Sequence, residues 1–345
     1  NINLMRAESP GPSVGKLVPK MRHTARLLYI IYFGLTIMEI IFLLFGKMPL
    51  YDAICTSLGT AGTGGFGIKN DSFCSYNVYL QWVVTIFMIL FGVNFNAYYL
   101  LFFGHIRDAL KVEEVRYYFG IITASVVVIS VNIAHMCTGV FDAVTKAAFQ
   151  VGSIITTTGF SSTDFDRWPE LSKTLLVLLM FIGACAGSTG GGIKVSRIVI
   201  AVKTIRKELN GYIHPKSVKK LTFEHKPVDH DVIRSINVYF MTYAVIFVVS
   251  LLLVSVENYD FTTNFTAVAA TFNNIGPGLS LVGPTCNFGF FNNFSKYVLM
   301  FDMLAGRLEL FPLLILFHPS IWKELFIQAD KKVKGNRKEK QNVRM

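Results

Sequence analysis

The chain has 345 residues, 52% hydrophobic and 14% aromatic, with only 16% charged and a mean hydropathy of +0.47. Soluble domains carry about 25% charged residues, so this composition argues against an ordinary soluble protein and for an all-α integral membrane protein, in which helices satisfy their own backbone groups. The net charge of +11 would suit a nucleic-acid partner on a single basic surface, but the basic residues are spread over alternate loops, and we expect no nucleic acid.

Residues 1–20 form a polar segment with no cleavable leader pattern. It begins at Asn1 rather than Met, which reads as a cytoplasmic segment starting inside a longer protein. Apolar runs of spanning length, about 20 residues, occur at 27–45, 82–103, 119–135, 171–185, 238–256 and 297–317, the fourth continuing past a glycine-rich break into 193–202. They group into three units. Unit A covers 21–104, with a first helix at 27–45, a short helix at 49–60 that Pro49 suits as a start, and a second helix at 76–103. Unit B covers 105–209, with helices at 115–135, 141–155 and from 171 onward. A basic cytoplasmic connector follows at 210–230. Unit C covers 231–327, with Pro312 expected to kink its last helix. A basic tail, 328–345, has the composition of a disordered cytoplasmic segment.

Lys and Arg number five in 1–26, three in 104–116, ten in 194–234 and eight in 317–345, against two, two and one in 46–80, 137–170 and 256–296. This is the positive-inside pattern, and it turns the short stretches between the paired helices outward. The five cysteines, Cys55, Cys74, Cys137, Cys185 and Cys286, have no CxxC spacing and give no metal site.

Each unit holds a short helix that runs into small residues and glycine. Aligned on glycine, Thr63-Gly64-Gly65-Phe66 lies beside Thr157-Thr158-Gly159-Phe160 and Asn274-Ile275-Gly276-Pro277. Irregular backbone at membrane depth is tolerated where it lines a watery path, and glycine lets successive carbonyls face one axis. No carboxylate lies in these segments, which suits a monovalent cation exchanging water for neutral carbonyls. The short helices would aim their negative C-terminal ends at the ion. Three such walls are present, whereas carbonyl filters of this kind have four.

The run 185–192 (CAGSTGGG) interrupts the second helix of unit B. A phosphate loop fails here: Gly187-x4-Gly192 is followed by Ile193, with Lys194 one place late, and no strand precedes it. The segment reads as a flexible intramembrane gate over Ala184–Gly192, carried by Gly187, Ser188, Thr189, Gly190, Gly191 and Gly192; a plain helix break is the bland reading. Arg307 lies mid-span, where arginine is costly without partners. It is read as a gate residue, against a structural pair with Asp302 or Glu309. Glu39, Asn94, Asn96, Asn132 and His135 read as interhelical hydrogen-bonding groups. Asp71, Asp164 and Asp166 read as solvated loop carboxylates able to attract cations.

The motifs GTGGF, TTTGF, NNIGPG, CAGSTGGGIK and LAGRLELF, in this order over residues 6–323, resemble the Trk/Ktr/HKT superfamily of cation transporters, and within it the Trk-type potassium uptake subunits of bacteria. The resemblance implies four linked helix–pore-loop–helix units around a central ion pore, of which units two, three and four are seen here. It carries the filter onto Thr63–Phe66, Thr157–Phe160 and Asn274–Pro277, and the gate onto Ala184–Gly192 and Arg307. It implies potassium as the transported ion, held at filter carbonyls only, with no organic cofactor and no enzymatic activity. It also implies a multi-pass homodimer in the bacterial inner membrane, under a cytoplasmic ring of regulatory subunits that bind NAD or adenine nucleotides. The connector 203–226 and the tail would dock that ring or anionic lipid. Sodium transport, or potassium transport coupled to protons or sodium, remains the alternative on the same scaffold. The glycines favour potassium, since sodium-preferring members tend to carry serine in the first unit. A membrane ATPase and a non-conducting scaffold are the readings from other classes.

Overall fold

The computed structural model describes residues 21–102, 104, 106–214, 220–224, 226–308 and 310–316. The segments 1–20 and 328–345, and residues 215–219 of the connector, lie outside these.

Helix α1 (Met21–Phe45) leads through Pro49 into α2 (Leu50–Ala61). Asn77 then caps α3 (Val78–Phe91) by accepting the Leu80 N–H at 2.8 Å. The sequence predicts one continuous second helix here, but the chain breaks at 92–94 and α4 (Phe95–Phe102) leaves at 93° to α3. Two side chains account for the bend. Gly92 lies so close to the Tyr118 hydroxyl that a Cβ would come within 2.3 Å of it, and the Asn94 carboxamide accepts the Asn96 N–H at 2.9 Å, starting a new helix. Helix α5 (Ile106–Lys111) precedes α6 (Glu113–Ile133), α7 (Val140–Ile155) and α8 (Glu170–Ile182).

An irregular segment then joins α8 to α9 (Val195–Ile213). Strands β1 (Thr222–Phe223) and β2 (Lys226–Pro227) form an antiparallel hairpin in the connector. Helices α10 (His230–Val254), α11 (Phe261–Phe272), α12 (Asn293–Arg307) and α13 (Leu310–Leu316) complete the fold. Pro312 does not kink a continuous helix. The chain breaks after Arg307, and Pro312 sits in the first turn of α13, where its missing N–H leaves no intrahelical bond unmade.

One packing scheme recurs along the chain. Each short helix (α2, α7, α11) packs between the long helices that flank it in sequence: α1 and α3, α6 and α8, α10 and α12. In addition α3 packs on α7 and α8 packs on α11, so the second helix of one segment supports the short helix of the next. Among the described residues three helices are long and apolar enough to cross a membrane, Arg26–Phe45, Glu113–Met136 and His230–Glu257, with the bent pair α3–α4 as a fourth. Their outward sides are apolar: Tyr29, Phe33, Ile37 and Ile41 on α1, and Met241, Val245, Val248 and Leu252 on α10, are exposed. The polar and aromatic interior gathers around the three short helices. Phe160, fully buried, joins the core of the first segment, with its ring centroid 5.0 Å from that of Phe73.

Candidate functional site

The three short helices end in one hydrogen-bond pattern. The cap N–H groups of Gly62, Thr156 and Asn273 donate to Leu58, Gly152 and Ala269. Thr63, Thr157 and Asn274 donate to Thr60, Ile154 and Thr271 at 3.0–3.1 Å, and Gly64, Thr158 and Ile275 donate to Gly59, Ser153 and Ala270 at 2.8–2.9 Å. These are Schellman motifs. Their left-handed residue is Thr63 (φ 50°), Thr157 (φ 58°) or Asn274 (φ 57°) where glycine is usual, and two residues on Gly65, Gly159 and Gly276 are again left-handed, at 67°, 89° and 109°. The sequence alignment of the three segments therefore coincides with a backbone alignment, residue for residue.

The loops also touch in order. A Cβ on Gly65 would lie 1.9 Å from the Thr158 carbonyl oxygen, and a Cβ on Gly159 would lie 1.9 Å from the Ile275 carbonyl oxygen, while at Gly276 no atom lies within 4 Å. Each contact pairs the glycine of one segment with the carbonyl just before the glycine of the next. Only glycine permits that approach. A cavity of about 260 Å³ opens on one side of this ring, bordered by Gly65, Gly159, Gly276, Pro277 and Lys69. Another of about 760 Å³ lies beyond Gly276, bordered by Thr63, Asn274, Met300, Met303 and Arg307. The two loop phenylalanines differ: Phe160 is buried as an anchor, whereas Phe66 is 82% exposed on the open side.

The 184–192 segment lies directly against the helix ends. Thr157 Oγ1 accepts the Gly191 N–H at 2.6 Å, and Thr63 Oγ1 donates to the Thr189 carbonyl at 3.0 Å. Arg307 closes the arrangement: Nη1 donates to Thr63 Oγ1 and to the Thr189 carbonyl, both at 3.3 Å, and Nη2 donates to the Gly62 carbonyl at 3.2 Å. Lys194 Nζ donates to the Gly190 carbonyl. Gly187 is exposed, Ser188 donates to the Cys185 carbonyl, and Gly192 and Lys194 take left-handed φ of 76° and 83°. Arg307 thus joins the end of α12, the loop and the first helix end. The carboxylate weighed as its partner, Asp302, is instead buried against Ser250 Oγ at 2.6 Å; Glu309 lies outside the described residues.

Sequence reasoning missed Glu114. It is 2% exposed, and its Oε1 accepts the N–H of Ala186 at 2.7 Å and of Ser196 at 3.1 Å, while Oε2 accepts from Asn94 Nδ2 at 3.1 Å. One carboxylate so holds both ends of the loop and the break between α3 and α4. The available signal was the pair Glu113-Glu114 at the head of an apolar helix, which reads equally well as favourable helix-dipole charge.

Several other polar residues have defined partners, whereas both carboxylate oxygens of the buried Glu39 meet no hydrogen-bond partner among the described residues. Asn132 accepts from Ser172 Oγ at 2.7 Å across α6 and α8. Asp166 accepts the Ser280 N–H at 2.9 Å, and Asp164 pairs with Arg167 at 3.0 Å. At the outer ends of the short helices, Asp52 accepts from Tyr76, Asp142 pairs with Lys146 at 2.9 Å, and Asp260 caps α11 through Thr263. The Lys146 hydrogen bond holds the Asp142 carboxyl below its usual range, and the Thr263 hydroxyl does the same for Asp260. Acidic groups at the N-terminal ends stabilise the helices that point their C-terminal ends at the ring. The five cysteines are free.

The family model described as TrkH, cation transport protein, matches residues 2–324. The chain belongs to the TrkH family of cation transport proteins. The Trk system potassium uptake protein TrkH of Salmonella typhimurium is 35% identical over 331 residues, covering 94% of this chain and 68% of that protein. The TrkH of Vibrio parahaemolyticus is 37% identical over 330 residues, covering 93% and 67%. The crystal structure of the potassium transporter TrkH from Vibrio parahaemolyticus superposes with a TM-score of 0.82 at 34% identity, covering 90% of this chain and 67% of that one. Family membership makes this chain a transporter rather than an enzyme.

Proposed function

We propose that this TrkH-family chain carries potassium across the bacterial inner membrane through a carbonyl-lined filter. The observation that carries the reading is the triple helix end: three Schellman-terminated helices whose glycine loops interlock in sequence order. The filter is formed by Thr63–Phe66, Thr157–Phe160 and Asn274–Pro277. Neutral carbonyls and helix C-terminal dipoles stabilise a partly dehydrated monovalent cation there. A further helix–loop–helix unit, from the same polypeptide or another, would complete the ring on the open side of Gly276. The 184–192 segment with Arg307 is the gate beneath it, a reading supported by their hydrogen bonds to the helix ends.

The relatives belong to Trk systems, and we infer for this chain a cytoplasmic regulatory subunit, docked near the connector and acting on the gate, and a homodimeric assembly. Uptake of Rb⁺ and Na⁺ into proteoliposomes tests the filter. The full-length protein should prefer Rb⁺, and Gly65→Ala and Gly159→Ala should each reduce that preference at least tenfold or abolish uptake. Unchanged preference in both folded variants would refute the filter assignment.

A further inference from the structure

Glu113 and Glu114 are neighbours at the start of α6, and their side chains leave the helix about 100° apart. They serve two different places. Glu114 binds the intramembrane segment at Ala186 and the first turn of α9 at Ser196. Glu113 faces the cytoplasmic hairpin: Oε1 pairs with Lys203 Nζ, and Oε2 accepts the Glu224 N–H at 3.2 Å. Lys203 also donates to the Thr222 carbonyl at 2.9 Å and lies 5.7 Å from the Phe223 ring centroid. Leu221 and Phe223 seat the hairpin in the main core.

Ser196 and Lys203 are seven residues apart on α9, two turns along one face. Helix α9 is therefore fixed to α6 at two levels, by Glu114 near the loop and by Glu113 at the hairpin. The Glu113–Lys203 pair is largely shielded, with side chains 17% and 24% exposed, so it is stronger than an open surface ion pair. The bonds to Glu114 are charge-assisted and fully enclosed.

We propose that Glu113 and Glu114 are positioning residues that couple the cytoplasmic hairpin of β1 and β2 to the intramembrane segment. With the hairpin seated, Lys203 and Glu113 hold α9 in register, and Glu114 keeps Ala186 and Ser196. With the hairpin drawn off, α9 shifts against α6, Glu114 loses its two backbone donors, and the segment is released from beneath the helix ends. A change at the cytoplasmic face thereby reaches the membrane interior through two adjacent side chains. The transport consequence rests on the gate reading above; the movement of the segment does not.

The test uses the full-length protein with its native cysteines replaced and Ser188→Cys as a reporter in the segment. The rate of modification by a water-soluble thiol reagent is read first, and Rb⁺ influx into proteoliposomes second. Glu113→Ala and Lys203→Met should each speed modification at least threefold, with the Rb⁺/Na⁺ ratio unchanged. Lys203→Arg, which keeps both the ion pair with Glu113 and a donor for the Thr222 carbonyl, should stay within about twofold of the parent rate, which separates loss of these contacts from a merely destabilised fold. Modification at the parent rate in both Glu113→Ala and Lys203→Met would overturn the coupling whatever the influx. Faster modification with unchanged influx would keep the coupling and remove the gate assignment.

Discussion

A threonine in left-handed conformation carries a backbone penalty of about 1–2 kcal/mol that glycine would avoid. Thr63 and Thr157 accept it at two of the helix ends that meet the intramembrane segment, and both use the hydroxyl to bind that segment. The penalty is offset by side-chain bonds that glycine cannot make. Thr157→Val would leave the buried Gly191 N–H without its acceptor, at a cost of about 1–3 kcal/mol, and should raise basal Rb⁺ influx roughly fivefold to a hundredfold with retained selectivity; influx at the parent level would show that this bond does not hold the gate. Arg307→Ala should raise basal influx as well, because it removes three donor contacts to Gly62, Thr63 and Thr189. Thr157→Val combined with Arg307→Ala should be less than additive, since both act on one segment.

Among helices and loops, sequence and structure agree best where a period or a composition forces the answer. The three glycine stretches were legible because small residues recur at matching places after short helices. The helix break at 185–192 was legible because glycine, serine and threonine do not sustain a helix. The bend at Gly92–Asn94 was not, since one glycine and one asparagine inside a long apolar run usually continue the helix; here Tyr118 packs against Gly92, and Glu114 holds the Asn94 side chain whose oxygen starts α4. Glu114 was hidden for the same reason: its partners lie 72 and 82 residues away. Asn94→Ala should lose both the start of α4, worth about 1 kcal/mol, and one bond to Glu114, and a lowered thermal midpoint would register it. At the outer ends, Asp142 and Asp260 have carboxyls held below the ordinary range. Their contribution is complete above the unfolded value of about 3.9 and lost as pH falls through the lower folded value. Asp260→Asn should therefore flatten the loss of thermal stability below about pH 4, and an unaltered acid limb would contradict the capping role.

Across the whole molecule, packing follows the order of the chain. The second helix of each segment supports the short helix of the next, and the carbonyl of each later loop presses on the glycine of the one before. Such a chain of contacts ends at Gly276, where an added Cβ would meet no atom within 4 Å. The sequence made the number of loops visible, because they can be counted, but not their handing-on from unit to unit, which depends on contacts 93 and 116 residues apart along the chain (Gly65 to Thr158 and Gly159 to Ile275). We propose that carbonyls of these loops together hold a monovalent cation. Anomalous diffraction from crystals of the full-length protein grown with Rb⁺ tests it most directly. Rb⁺ density is expected among the three loops, within coordinating distance of the carbonyls of Gly64, Thr158 and Ile275; no Rb⁺ density there, in crystals that hold the ion elsewhere, would contradict the filter.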